Sequence, residues 1–273
     1  MPELPEVETT IRSLRHQLIN QKIKKIEIFY EPIMNHNKNL IDQLIGQTFL
    51  RCERKGKFLL FFLSNDWVFI GHLRMEGKIY LHLLDQKMLN KDKHEHFRIF
   101  LDNDIVFRYY DVRKFGRFNF YKKIDYLKDM KFKQLAPDPF DISINLFYQK
   151  LQKSYSNIKQ ILLNQKIISG IGNIYANEVL FLTRIHPETK ARLLKWEQVD
   201  FLLQQMRKLL IEAINAGGTS ISTFEANGQK GTFQQRLLVY RKTKCSVCNQ
   251  IITKIKINGR SSYVCLRCQK YIH

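Results

Sequence analysis

The sequence is short of acid and has no long apolar run. Against 45 lysines and arginines stand 25 aspartates and glutamates, which leaves a net charge of +20 and a pI near 9.7. A field of that sign suits a polyanion, with nucleic acid the first expectation and a basic membrane-surface protein the competing one. No stretch of eighteen or more apolar residues occurs, which excludes a membrane-spanning helix. The opening residues are acidic and lack a signal-peptide pattern, so the sequence predicts a cytoplasmic protein. Cysteine is scarce outside one place: Cys52 stands alone, and Cys245, Cys248, Cys265 and Cys268 sit together near the end. No internal repeat or low-complexity tract is evident, and 273 residues suffice for two domains with real cores.

What is there begins with Met1-Pro2-Glu3-Leu4-Pro5-Glu6-Val7-Glu8. Removal of Met1 would leave the secondary amine of Pro2 beside two carboxylates, Glu3 and Glu6. An α-amino group has an ordinary pKa of about 8, so it is partly neutral and nucleophilic at cellular pH. Attack on an aldehyde-like carbon would give an iminium ion, with Glu3 placed to move protons. The same stretch also reads as a plain amphipathic helix, since Leu4, Val7, Ile11, Leu14 and Leu18 share one face and acid sits near its start. Taken alone these residues read better as helix; the rest of the chain reverses that.

Beyond the helix, about Pro2 to Leu18, come short segments of strand character: Lys24 to Phe29, Phe58 to Leu63, Trp67 to Gly71, Lys78 to Leu83, Phe97 to Leu101, Ile105 to Tyr110 and Gly116 to Tyr121. Many short strands at close spacing predict a β-sandwich or barrel over residues 1–132. Two prolines in 133–140 mark a linker. Helical patterns follow at Ile142 to Leu151, Asn157 to Asn164, Ile174 to Leu182 and Trp196 to Ala216, within a helical domain at 141–240. The fold class is therefore α+β.

The four late cysteines have the spacing C-x2-C-x16-C-x2-C, which supplies four thiolates for tetrahedral zinc. Asn258-Gly259 is a hairpin turn signal between them, so 241–273 reads as a zinc ribbon with Arg260 at its tip. A pair of disulfides is the alternative. Four thiolates leave zinc no open position, so the ion is structural.

Other motifs are weaker singly. Lys159 through Gly170-Ile171-Gly172-Asn173 to Glu178 reads as two helices and a glycine turn, with Asn173 as an N-cap beside amides that suit phosphate. Asp111-Val112-Arg113-Lys114-Phe115-Gly116 and His72-Leu73-Arg74-Met75-Glu76-Gly77 read as loops whose Phe115 and Met75 wedge into a base stack, or else pack in a core. Lys57, in Arg54-Lys55-Gly56-Lys57-Phe58, is a phosphate contact, a proton donor or simply a solvated lysine. Lys93-His94-Glu95-His96 reads as polar or phosphate-contacting. Gly217 to Gly231 is glycine-rich and polar, as a lid or a disordered loop would be.

Together and in this order these features resemble the bacterial formamidopyrimidine-DNA glycosylases over nearly the whole chain. The resemblance implies an N-terminal β-sandwich, a helix–two-turn–helix domain, a zinc ribbon with one structural Zn2+, and a monomer acting on double-stranded DNA that contains oxidised purines. It implies Pro2 as nucleophile at C1′, Glu3 as proton carrier, Lys57 as proton donor for β-elimination and Arg260 as a phosphate contact in δ-elimination. It implies Met75, Arg113 and Phe115 as fillers of the gap left by the flipped nucleotide, and His94, Lys159 and Asn173 as backbone contacts. The Gly217 to Gly231 loop would cover the extruded base. The chain departs from the family in Arg241-Lys242-Thr243-Lys244, which is short and lacks a glycine. A glycosylase for oxidised pyrimidines and a non-enzymatic zinc-ribbon DNA binder are the alternatives.

Overall fold

The computed structural model describes residues 1–34, 38–84, 92–220 and 224–272. By contacts the chain divides into two compact units: Met1–Lys133 with Gly217–Thr232, and Gln134–Ala216 with Phe233–His273. The Gly217–Thr232 segment thus packs with the first unit, where the sequence reading grouped it with residues 141–240.

The first unit opens with α1 (Leu4–Leu18). Glu3 is its N-cap and Pro5 lies in its first turn. Leu4, Val7, Ile11, Leu14 and Leu18 are at most 1% exposed, so the whole apolar face is buried. Each such side chain contributes roughly 1.5–3 kcal/mol on leaving water. The strands are β1 (Ile23–Ile28), β2 (Phe49–Lys55), β3 (Phe58–Leu63), β4 (Trp67–His72), β5 (Lys78–Leu83), β6 (Glu95–Leu101), β7 (Ile105–Tyr110) and β8 (Arg117–Lys122), with a short α2 (Lys38–Asp42) before β2. They form two antiparallel sheets, β1-β6-β7-β5 and β2-β3-β4-β8. Phenylalanines from both fill the space between: Phe61 meets Phe107 at 5.8 Å and Phe118 meets Phe97 at 5.0 Å, both edge-on. This is the expected sandwich.

β2 escaped the sequence reading for a physical reason. A register irregularity between Phe49 and Arg51 breaks its alternation, and four of its seven residues are charged. Two short helices, α3 (Lys123–Lys128) and α4 (Met130–Lys133), were likewise not expected. They bury Tyr126 and Phe132 against Leu60, Val68 and Ile70 on the outer face of the second sheet.

One buried ionic group stands out in the first sheet. Glu95 is fully buried, and its two oxygens accept from Arg98 Nε and Nη2, both at 2.6 Å, and from Arg108 Nε at 2.6 Å and Nη2 at 2.7 Å. Removing the shared carboxylate takes a doubly hydrogen-bonded partner from each of two buried guanidiniums, with Arg98 keeping the 3.9 Å pair to Glu27. Glu95→Ala is therefore expected to destabilise the protein by about 3–5 kcal/mol. Replacing Glu95, Arg98 and Arg108 together by apolar residues should cost much less, and thermal denaturation of both variants checks this.

The second unit holds α5 (Ile144–Gln152), α6 (Ile158–Leu163), α7 (Asn173–Leu182) and α8 (Trp196–Asn215), then the hairpin β9 (Thr253–Ile257) and β10 (Arg260–Val264). Ser143 caps α5, and Asn157 caps α6 in a capping box with Gln160. Nearly all of α7 is buried, so it lies at the centre of the unit. Phe181 of α7 packs with Val239, Cys245, Ile252 and Cys265, which seats the ribbon.

Candidate functional site

In the first unit the chemistry gathers at the start of α1. Pro2 is buried, Glu3 is 2% and Glu6 1% exposed. Glu3 and Glu6 form a capping box, with Glu3 N donating to Glu6 Oε2 at 2.8 Å. The other oxygen of Glu6 accepts from Thr219 N at 2.8 Å and Thr219 Oγ1 at 2.9 Å. One carboxylate therefore fixes both the N-terminus and the start of the Gly217–Gly231 loop. Gly218 makes this approach possible: it has φ +78°, and a Cβ there would sit 3.0 Å from Glu6 Oε1.

Lys57 lies in the two-residue turn joining β2 to β3 and is only 6% exposed. α1 is held to that hairpin by Glu8, which accepts from Arg54 Nε at 3.0 Å, and by Arg15, which donates to Cys52 O at 3.0 Å. Lys57 is thereby brought within electrostatic range of the N-terminal amine. That amine, on Met1 here, is held below its ordinary value of 8.0, chiefly by burial. Lys57 pushes in the same sense, and Glu3, Glu6 and Glu76 oppose it. Lowering favours the neutral, nucleophilic form at cellular pH.

The two loops expected to carry wedges hold Met75 and Phe115 at the surface. Met75 is 38% and Phe115 47% exposed, which rejects core packing for both. Exposed Arg113 lies over the Phe115 ring at 4.8 Å. Buried Asp111 shapes the second loop, accepting from Arg113 N at 3.0 Å and Gly116 N at 2.7 Å. His72 is buried, and burial with Arg74 and Lys57 nearby pushes its pKa down to about 3, so its ring is neutral. His94 is half-buried beside this loop, its backbone oxygen accepting from Asp111 N at 3.0 Å.

In the second unit, the Sγ atoms of Cys245, Cys248, Cys265 and Cys268 lie within 4.8 Å of one another. The Cys248–Cys265 and Cys245–Cys268 separations are 3.4 and 3.8 Å. Thiolates on a tetrahedral zinc at 2.3 Å stand about 3.8 Å apart, so the four fit one structural zinc ion. The hairpin turns through Asn258 and Gly259, both at positive φ, and leaves Arg260 exposed at its tip. Arg260, Asn258, Gln160 and Asn164 line a cavity of about 330 Å³.

Three family models match. They are the formamidopyrimidine-DNA glycosylase N-terminal domain over residues 1–118, that enzyme's H2TH domain over 135–225, and a zinc finger found in FPG and IleRS over 243–270. A formamidopyrimidine-DNA glycosylase of Mycoplasma mobile is 38% identical over 275 residues, covering 99% of each chain. One from Lactococcus lactis subsp. cremoris is 40% identical, covering 99% of this chain and all of its own. The chain belongs to the formamidopyrimidine-DNA glycosylase family. Among solved structures, Lactococcus lactis Fpg in complex with abasic-site DNA superposes with TM-score 0.90 at 39% identity, covering 98% of this chain and 99% of that one. The same enzyme with DNA containing N7-benzyl-Fapy-dG gives 0.91 at 39%, covering 98% and 100%.

Against this glycosylase frame two expectations need correction. Lys159 was expected on the DNA backbone. It is fully buried, and its Nζ donates to Ser262 Oγ at 2.6 Å, Ser261 O at 3.1 Å and Asn177 Oδ1 at 3.2 Å. An ammonium has three donors, and these bonds use them inside the protein. Lys159 instead ties α6 and α7 to β10 beside Arg260. Asn173 was expected as an N-cap. The cap is Gly172, and Asn173 is the first helical residue, with Nδ2 donating to Ser261 O at 3.0 Å. At the family departure, Arg241 takes φ +59°, a left-handed conformation that costs an ordinary residue roughly 1–2 kcal/mol. Glu178 accepts from the backbone N–H groups of Leu238, Val239 and Tyr240 at 2.7–3.0 Å and braces the adjoining backbone.

The sequence reading missed Glu6 as an anchor. Its capping-box spacing from Glu3 was visible, but its partner Thr219 lies 213 residues away. The lid expectation for Gly217–Gly231 falls partly on residues 221–223, which lie outside the described residues.

Proposed function

We propose that the chain excises 8-oxoguanine and formamidopyrimidines from double-stranded DNA in base-excision repair, and then cuts the strand, through the amine of Pro2. The observation that carries this reading is the buried start of the chain: Pro2 is buried, Glu3 at the next position is 2% exposed, Lys57 is 6% exposed, and the terminal amine at this place, on Met1, is held below its ordinary value by burial with Lys57 adding. Membership of the glycosylase family supports the activity. The lesion-bearing and abasic DNA held by Lactococcus lactis Fpg supports the substrate. No described helix is long and apolar enough to cross a membrane; we place the work in the bacterial cytoplasm, at the nucleoid.

The mechanism follows from the groups. A base inside a duplex cannot be attacked at C1′, so the damaged nucleotide is flipped out at a cost of about a few kcal/mol. Met75 and Phe115 fill the vacated stack, and Arg113 faces the orphaned partner. His94, Asn173 and Arg260 hold phosphates. Lys159 acts only by bracing the ribbon behind Arg260. The Pro2 lone pair bonds to C1′ as the glycosidic bond breaks, and the base leaves with the bonding electrons, its charge neutralised by the proton that the Pro2 nitrogen sheds. Glu3 supplies a proton to O4′ as the sugar opens, which leaves an iminium at C1′. The iminium acidifies C2′–H; loss of that proton expels the 3′ phosphate, with Lys57 as proton donor. Loss of a C4′ proton then expels the 5′ phosphate, with Arg260 stabilising the departing charge. Water releases Pro2. The zinc holds the ribbon in shape.

Cleavage of matched duplexes tests the reading against the oxidised-pyrimidine alternative. An 8-oxoguanine opposite cytosine should be cut at least about tenfold faster than thymine glycol, because the pocket discriminates through differential transition-state contacts. A reversed preference would favour the pyrimidine enzyme. Binding without cleavage of either would favour the non-enzymatic reading.

A further inference from the structure

Among the described residues β5 is an edge strand, hydrogen-bonded in its sheet to β7 alone. An open edge offers unpaired backbone groups. Here it is covered by the far half of the loop. Ala226 and Gln229 exchange backbone hydrogen bonds at 2.8 and 3.0 Å around Asn227 and Gly228, which sit at φ +47° and +83°. That is a two-residue hairpin turn of the kind asparagine and glycine favour. Asn227 Oδ1 accepts from Leu81 N of β5 at 2.8 Å. The carboxylate of Glu225 accepts from Lys78 Nζ at 2.8 Å and from the Tyr80 hydroxyl. The ion pair is sheltered, with side chains 23% and 18% exposed. Burial pushes the Glu225 carboxyl upward, but the bonds from Lys78 and Tyr80 outweigh it and leave the group below its usual range. The clamp is therefore charged at neutral pH.

The clamp is connected to the chemistry at both ends. Ser220 Oγ donates to Phe224 O at 2.8 Å and accepts from Gly231 N at 3.0 Å, which joins the two described halves of the loop. The first half is fixed at Glu6 through Thr219. Lys78 and Tyr80 line the same cavity of about 440 Å³ as Glu76, whose charge reaches the N-terminal amine.

We propose that Glu225 is a positioning residue for base excision: through Lys78 and Tyr80 it sets the loop on the β5 edge, and excision of a base depends on that setting while cleavage at a site already lacking its base does not. The inference rests on the function proposed above. The test is single-turnover kinetics on a duplex with 8-oxoguanine opposite cytosine and on the same duplex with a preformed abasic site. Glu225→Ala should slow excision about tenfold and leave abasic cleavage within about twofold. Tyr80→Phe should slow excision less, and the double variant should be no slower than Glu225→Ala, since both changes break one linkage. Equal slowing on both duplexes, additive effects, or no slowing on 8-oxoguanine would overturn the inference. A parent protein inactive on both duplexes would overturn the proposed function and the inference with it.

Discussion

Protein with a blocked N-terminus, through retained Met1 or added residues, is expected to lose turnover by at least about a thousandfold while still binding lesion-bearing DNA. Removing a nucleophile is among the largest single losses an enzyme can suffer, because no other group takes up the covalent step. Pro2 is buried, and the nearby Glu6 carboxylate is committed to the helix cap and to Thr219. An added residue therefore converts the attacking amine to an amide without disturbing these anchors. Binding should persist because the phosphate and stacking contacts proposed for this chain come from elsewhere, from Met75, Arg113, Phe115, His94 and Arg260. Parallel titration and single-turnover cleavage, on protein whose first residue has been sequenced, separate the two effects.

Removal of zinc is expected to be as damaging by another route. The ribbon is a two-stranded hairpin, and such a hairpin is marginal without support. Structural zinc contributes about 10–16 kcal/mol of apparent binding energy, which is folding energy in a module this small. Chelation, or Cys248→Ala, should unfold roughly residues 243–270 and release Arg260 from its place beside the turn. DNA affinity should fall at least about tenfold and strand cleavage should stop, since the phosphate contacts proposed for the ribbon leave together. The first unit has its own core of aromatic and aliphatic side chains and should stay folded. Zinc content, circular dichroism and binding, measured before and after chelation, check each part. Full activity in zinc-free protein would refute the ribbon's role.

The start of the chain and the ribbon were the most legible from sequence, because the groups that mark them are local. Pro2 and Glu3 are adjacent, Lys57 sits in a turn marked by glycine, and two Cys-x2-Cys pairs announce their metal. Short apolar strands next to turn signals, such as β3 beside Asn65-Asp66 and β7 after Asp102-Asn103-Asp104, were read to the residue, whereas β2 was hidden by its irregular register and its charges. Positions whose role depends on distant partners were not legible. Lys159 looks in sequence like any lysine beside a DNA-binding turn, yet its acceptors lie 18, 102 and 103 residues away. Burial, not residue type, decides that it braces the ribbon. Glu225 gives no signal either, since Lys78 and Tyr80 meet it across about 145 residues of chain.

The most direct test of the central claim is borohydride trapping. The protein, with Pro2 confirmed as its first residue, is mixed with a duplex carrying one 8-oxoguanine opposite cytosine, reduced, and digested for peptide mapping. The account predicts a covalent protein–DNA adduct on the Pro2 nitrogen. An adduct on a lysine, or none from protein that retains its zinc and binds the duplex, would contradict it.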